Sequence, residues 1–398
     1  MQHTKDGMMD DHTANQASAG AIAHHKKNIL HVFPTFAIGG QQVRFAHIAN
    51  ACPQDYRHTV IALDGNFDAK SKLQETVDAT FIDLRQLKQQ HVLQRMQAIQ
   101  HYLADHQHDV LMTYNWGAIE WALAHRIFPH ATTAATATKH VHWEDGFGPE
   151  EQQDRLPRRN IFRRLALSDD TKVVVPSHQL QHIAQQDWHV AASQLVYFPN
   201  GIALPESRSH TAADTAADNN THSSKTTEQA QEPTFITLAT LRAEKNIPRL
   251  IDSFLAAVPN GKLIIGGGGP LLEELREYVI QLDQIDRIEL TGNITDIWGF
   301  LARGDVFCLS SDTEQMPISI LEAMAMGLPV ISTDVGDIKT MLSPENMAYI
   351  ATPSDYPKAM KKLLAHQDYW PTIGRANKLR VSQQYSFETM IKNFAALL

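Results

Sequence analysis

The sequence predicts an α/β protein of two parallel-sheet domains, and three observations carry that prediction. The chain has 398 residues, more than one hydrophobic core usually organises. Short apolar runs rich in β-formers alternate with helical segments, the pattern of β-α-β units in a parallel sheet. Residues 205–233, rich in Ser, Thr, Ala, Asp, Asn and Gln, have no apolar periodicity and divide that pattern in two.

In the first half, Asn28 to Phe33 is an apolar strand. Pro34 to Gln42 follows as a loop, with Gly39 and Gly40 just before the helical pattern Val43, Ala46, His47, Asn50. A glycine pair between a strand and a helix is either a tight turn or a place where backbone N–H groups meet an anion or sugar hydroxyl. Arg57 to Leu63, Thr80 to Leu84 and Asp109 to Tyr114 are further strands. Gln89 to Ala104 and Trp116 to Ile127 are helices, the first with Val92, Met96, Ile99 and Leu103 on one face. Thr133 to Val141 is the next strand, and it leads into a polar, aromatic cluster from His140 to Glu150. There His140, His142 and Glu144 alternate and so share a face. Three readings compete: a metal site, for which no third ligand stands at a recognised spacing, a hydrogen-bonded structural loop, and an active-site loop. Lys172 to Pro176 and Leu195 to Phe198 complete this Rossmann-like domain, residues 28–204.

The segment Arg155 to Leu167 stands out in an acidic chain. Five arginines (155, 158, 159, 163, 164) flank the apolar stripe Leu156, Ile161, Phe162, Leu165 and Leu167. Such a helix suits peripheral contact with an anionic membrane; it equally suits an ordinary packed helix whose arginines pair with Glu150 and Glu151.

The second domain, residues 234–384, opens with the strand Thr234 to Leu241. Arg242-Ala243-Glu244-Lys245-Asn246 and the helix Ile247 to Val258 follow. Cations at a strand-to-helix turn, beside free helix-end N–H groups, suit a diphosphate. Lys262 to Ile265 enters Gly266-Gly267-Gly268-Gly269-Pro270, which is not the G-x-G-x-x-G of a dinucleotide oxidoreductase. Ile288 to Gly292 is another strand. Val306 to Gly336 is then a strand, a polar loop, a helix opened by Pro317 and the strand Pro329 to Ser332; it carries Glu314 in the loop and Glu322 on the helix. Ligands of open α/β sheets bind at strand carboxyl ends, where Glu314 falls. The last helix, within residues 385–398, is expected to cross back onto the first domain.

Composition narrows the function. A 43% hydrophobic and 20% charged chain is an ordinary globular protein, and a formal charge of −9 argues against nucleic-acid binding. The two cysteines, Cys52 and Cys308, are expected as buried thiols. No run approaches the ~18 apolar residues of a membrane span. Residues 1–27 are His-rich and lack a secretory apolar region, so they are expected to be a disordered tail on a cytoplasmic protein.

Glu314, seven residues, Glu322-Ala323-Met324-Ala325, then Gly327-Leu328-Pro329-Val330 resembles the E-x7-E signature of retaining glycosyltransferases of family 4, with the GT-B fold of two Rossmann-like domains facing across a cleft. The resemblance covers nearly all of the chain after residue 27 apart from 205–233. It implies sugar transfer from a nucleoside-diphosphate donor to a glycan or lipid-linked acceptor, in cell-surface polysaccharide or lipopolysaccharide synthesis, without a metal or other cofactor. It places Gly39 and Gly40 under the sugars, and Arg242 and Lys245 on the diphosphate. Gly267 would line the nucleotide cleft and Glu322 bind the ribose, with Glu314 and His142 against the transferred sugar and Glu144 and Asp145 on the acceptor side. Two departures stand out. Thr240 occupies the position where many members carry the arginine, with Arg242 two residues on, and Gln315-Met316 replaces a glycine and an aromatic. The competing functions are a GT-B epimerase and a catalytically silent GT-B subunit.

Overall fold

The computed structural model describes residues 26–128, 138–147, 151, 156–167, 169–205 and 232–398. The expected tail (to residue 25), most of the 205–233 insertion, Glu150 and Arg155 lie outside the described residues.

Two all-parallel sheets make up the molecule. The first contains β1 (Lys27–Phe33), β2 (Tyr56–Ala62), β3 (Ala79–Asp83), β4 (Val110–Tyr114), β5 (Lys139–Trp143), β6 (Lys172–Val175) and β7 (Leu195–Tyr197). Their order is β3-β2-β1-β4-β5-β6-β7. The second contains β8 (Thr234–Leu238), β9 (Lys262–Gly266), β10 (Ile288–Gly292), β11 (Val306–Leu309), β12 (Val330–Thr333) and β13 (Ile350–Ala351), ordered β10-β9-β8-β11-β12-β13. In both, the order reverses beside the first strand, the topological switch point where a crevice opens at the strand ends.

Helices cover both faces, which is why the central strands are continuous apolar runs. Along β1 the period of two is explicit: Ile29 and Phe33 join one core cluster, Leu30 and Val32 the other. Among the described residues, five helices accompany the first sheet: α1 (Gly40–Ala51), α2 (Val92–Asp105), α3 (Ile119–Ile127), α4 (Pro157–Ala166) and α5 (His178–Gln186). The second sheet is accompanied by α6 (Ile247–Ala257), α7 (Leu272–Gln281), α8 (Ile297–Leu301), α9 (Ile318–Ala325), α10 (Ile338–Met341), α11 (Tyr356–Leu364) and α12 (Trp370–Gln384).

Several boundaries differ from expectation. The strand expected at Thr133 to Val141 runs from Lys139 to Trp143 in its described part, so His140 and His142 are strand residues rather than members of a loop. The strand expected to reach Leu241 stops at Leu238. Cys308 is buried, whereas Cys52 is partly exposed.

The last helix, α13 (Phe387–Leu397), packs on the first domain. Met390, Phe394 and Leu398 are buried in the same cluster as Ile29, Phe45 and Phe198. The ammonium groups of Lys27 and Lys139 donate to a Leu398 oxygen at 3.2 and 2.7 Å. The two domains therefore share a core element. Phe394 is 3% exposed and meets Tyr56 edge-on. Phe394→Ala is expected to destabilise the first domain by roughly 3–5 kcal/mol, read as an earlier midpoint in urea unfolding; an unchanged midpoint would show that α13 docks without contributing.

Candidate active site

A cavity of about 490 Å³ lies between the carboxyl ends of the two sheets. The first domain lines it with Gly40, Gln41, Arg44 and Asp145, and the second with Thr240, Lys245, Glu314 and Ser319.

On the second domain, Lys245 and Glu314 meet. The Lys245 ammonium donates to Glu314 Oε1 at 2.6 Å, and the Ser311 hydroxyl donates to the same oxygen at 2.7 Å. Lys245 lies in a single-turn helix closed by Asn246, whose left-handed backbone (φ 45°) lets it cap α6. The Ser310 hydroxyl donates to the Lys245 and Asn246 carbonyls, tying this turn to the Glu314 loop. That loop is held from behind as well. The Thr333 hydroxyl donates to the Ser311 carbonyl at 2.6 Å and the Asp337 N–H to that of Gln315 at 2.9 Å. Gly336, with φ +54°, passes so close that a Cβ would sit 2.5 Å from the carbonyl oxygens of Glu314 and Gln315.

Opposite, α1 begins at Gly40, leaving first-turn N–H groups without helical partners at the cavity edge. Gly40 lines the cavity, and Gly39 lies behind it as the helix cap against the Gln42 side chain. The Asp145 carboxylate receives two bonds from Arg44, at 2.7 and 2.9 Å, and one from the Gln41 side chain. The Asp145 N–H donates to Asn115 at 2.8 Å.

Six predicted residues do not line the cavity: Gly39, Arg242, His142, Glu144, Gly267 and Glu322. Arg242 is exposed and does not line the cavity, whereas Thr240 does. A two-residue offset keeps one face only along an extended chain. Here the Arg242 N–H bonds the Thr240 carbonyl at 2.9 Å, so the chain turns and the alternation is lost. His142 and Glu144 are fully buried beneath the cleft. The Thr113 hydroxyl pairs with His142 Nδ1 and His140 Nε2, both at 2.9 Å, so the shared face of these residues points into the protein. Glu144 pairs with the buried Arg163 at 3.3 Å. Gly267 follows the carboxyl end of β9 but does not line the cavity; at φ +126° a Cβ would sit 1.8 Å from the Ala239 carbonyl oxygen, so its place there requires close packing of the ends of β8 and β9.

Glu322 lies one helical turn beyond Ser319 on the same face of α9. Burial raises its carboxyl from 4.5 to about 7. Arg44, Gln41, Asn115 and Asn200 were not singled out in the sequence, where each is one polar residue among many. They form a network in which Arg44 also donates to the Asn200 side-chain oxygen at 2.9 Å and lies 4.8 Å from the Trp143 ring centroid.

Two facing Rossmann-like domains with a lysine and carboxylates across their strand ends define a GT-B glycosyltransferase. Residues 38–205 match the family described as Glycosyltransferase Family 4 and residues 218–376 that described as Glycosyl transferases group 1. The chain belongs to glycosyltransferase family 4. It is 26% identical over 267 residues, 63% of this chain and 67% of the other, to the GDP-mannose-dependent alpha-(1-6)-phosphatidylinositol monomannoside mannosyltransferase of Mycobacterium tuberculosis. It is 28% identical over 170 residues, 39% of this chain and 48% of the other, to the lipopolysaccharide core biosynthesis mannosyltransferase LpsB of Rhizobium meliloti. Anabaena HepE in complex with UDP-glucose superposes with a TM-score of 0.71 at 17% identity, covering 93% of this chain and 98% of that one.

The raised Glu322 carboxyl sets a pH signature. Between 4.5 and about 7 the folded state holds a proton there that the unfolded state has released. This group's contribution is therefore full below that window and lost as pH rises through it. Glu322→Gln is expected to flatten that slope and to stabilise the ligand-free protein at and above neutral pH. Chemical denaturation across the window checks this; parallel slopes for the two proteins would rule it out.

Proposed function

We propose that this protein transfers a hexosyl group, with retention at the anomeric carbon, from a nucleoside-diphosphate sugar to a glycan or lipid-linked acceptor in cell-surface polysaccharide or lipopolysaccharide assembly. The observation that carries this reading is the Lys245–Glu314 pair inside the cleft, facing Gly40 and Asp145. As the bond from the anomeric carbon to the diphosphate breaks, negative charge grows on the leaving oxygen. Lys245 and the free N–H groups at helix starts are placed to stabilise it, a role that needs no metal. Glu314 then orients the sugar hydroxyls, and Glu322, once ionised, can accept both ribose hydroxyl protons in hydrogen bonds. Arg44 and Asp145 hold the acceptor-facing wall. The relatives that act on phosphatidylinositol mannoside and lipopolysaccharide core support the acceptor class.

A nucleotide-sugar panel tests this directly. At least one nucleoside-diphosphate hexose is expected to raise the melting temperature, since ligand at 100 times its Kd stabilises by about 2.7 kcal/mol. Lys245→Ala should lower transfer by roughly 10²- to 10³-fold. Conversion of one nucleotide sugar into its epimer without added acceptor and without net release of nucleoside diphosphate would favour an epimerase, and transfer unaffected by Lys245→Ala and Glu314→Gln would favour a silent subunit.

For location, we infer a cytoplasmic protein that touches an anionic membrane surface through α4. Among the described residues no helix is long and apolar enough to cross a membrane. Of the arginines on α4, Arg159 and Arg163 are turned inward onto Glu151. The outer face keeps Arg158 and Arg164, with Ile161 and Leu165 each 55% exposed. An Arg158→Glu, Ile161→Glu double variant is expected to lose co-sedimentation with phosphatidylglycerol-containing liposomes, and undiminished co-sedimentation would remove the membrane from this reading.

A further inference from the structure

We propose that a second cavity, in the first domain beside Trp116, is a subsite for a sugar ring of the acceptor. The assignment rests on the glycosyl-transfer reading above and extends it to residues that reading leaves unused. The cavity measures about 250 Å³, roughly half the size of the cleft, and lies among the first turns of α2, the start of α3 and the middle of α4. Trp116 and Phe162 supply aromatic surface, Ile99 an apolar floor, and Lys88, Arg95 and Glu120 the polar groups.

The chemistry of this lining matches a pyranose. Such a ring is apolar along its C–H groups and polar at its hydroxyls, so it needs an aromatic surface beside paired donors and acceptors. The indole of Trp116 is fixed by the guanidinium groups of Arg159 and Arg163, 5.1 and 5.2 Å from its centroid, and by the edge of Phe162. Arg95 donates to both Glu120 oxygens, at 2.5 and 2.6 Å, and to the Gln90 carbonyl at 3.1 Å. That pairing locks two planar groups edge to edge and leaves further N–H groups on the guanidinium and further lone pairs on the carboxylate. Adjacent donor and acceptor edges suit neighbouring hydroxyls. A phosphate is disfavoured, because Glu120 cancels one of the two cations.

Position assigns the ring to the acceptor. Leu63 and Trp116 follow the carboxyl ends of β2 and β4, on the domain opposite Lys245 and Glu314. The residue before Trp116 is Asn115, which accepts from the Asp145 N–H and donates to Gln41. Arg163 lies between Trp116 and Phe147, and Phe147 lines the cleft. Arg163 thus connects a lining residue of one cavity to a lining residue of the other. Val92 and Leu93, 56% and 79% exposed at the start of α2, continue an apolar surface on this side of the domain.

The test uses the full chain labelled with 5-fluorotryptophan, in which Trp116→Phe assigns one of six indole signals. Methyl glycosides of glucose, galactose, mannose and N-acetylglucosamine are titrated to high millimolar concentration. At least one is expected to shift the Trp116 fluorine signal saturably, and Glu120→Gln, checked for an otherwise unchanged spectrum, should weaken that glycoside by about tenfold or more. A Trp116 signal that no glycoside moves, in a sample that a nucleotide sugar still stabilises, overturns the subsite and leaves the transferase reading intact. Equal binding by Glu120→Gln also overturns it. A shifted Trp116 in a protein that no nucleotide sugar stabilises removes the transferase reading, and the acceptor assignment with it.

Discussion

The hydrogen bond from the Asn200 amide to the Met316 carbonyl, 2.9 Å long, joins the domains at the point where the chemistry is assembled. Met316 follows the Glu314 loop, and the Asn200 side-chain oxygen accepts from Arg44, which grips Asp145. One side-chain amide therefore fixes the carboxylate-bearing loop of the second domain relative to the Arg44–Asp145 pair of the first. The same loop is met by the Ser177 hydroxyl, which donates to the Gln315 side chain at 2.5 Å. Gln315 and Met316 make up one of the two departures from the common family pattern. In this chain they contact the other domain, so the departure shapes how the two domains are joined.

A second constraint acts beneath the cleft. Arg163 is fully buried between Glu144 and Glu151, with its guanidinium 4.7 Å from the Trp188 centroid. Burial alone would raise the Glu151 carboxyl, but the hydrogen bonds and charges of Arg159 and Arg163 outweigh it and hold the group below the usual range. Such a cluster adds little net stability, because desolvation offsets most of the attraction. Removing one partner alone is costly, since it strands the other charge. The consequence is positional. It holds α4 against β5, fixes the plane of Trp116, and places Arg163 between Trp116 and Phe147.

What the sequence revealed, and what it hid, follows the range of the interactions. Glu314, Lys245 and Gly40 were legible because each sits in a strand-turn-helix unit whose local geometry brings it to a strand end. The alternating β-α pattern likewise exposed both sheets, since sheets covered on both faces leave apolar runs. Arg242 was misplaced because its side depends on a turn closed by one backbone bond to Thr240, which residue types do not announce. His142 and Glu144 were correctly put on a common face, but which way that face points is decided by Thr113 on β4 and Arg163 on α4. Arg44, Asn115 and Asn200 derive their importance from partners up to 156 residues away, a relation that a single sequence does not display.

The Lys245–Glu314 pair also says something about the order of events in the cleft. With side chains 22% and 10% exposed, the two groups are partly desolvated, and neither can leave the other without a replacement partner. A diphosphate supplies oxygens for the lysine, while Ser311 keeps its bond to Glu314 and holds the carboxylate in place for the sugar hydroxyls. On the proposed reading the donor is the ligand that opens this pair, and Glu314 becomes available to orient a sugar once the diphosphate has taken its counter-ion.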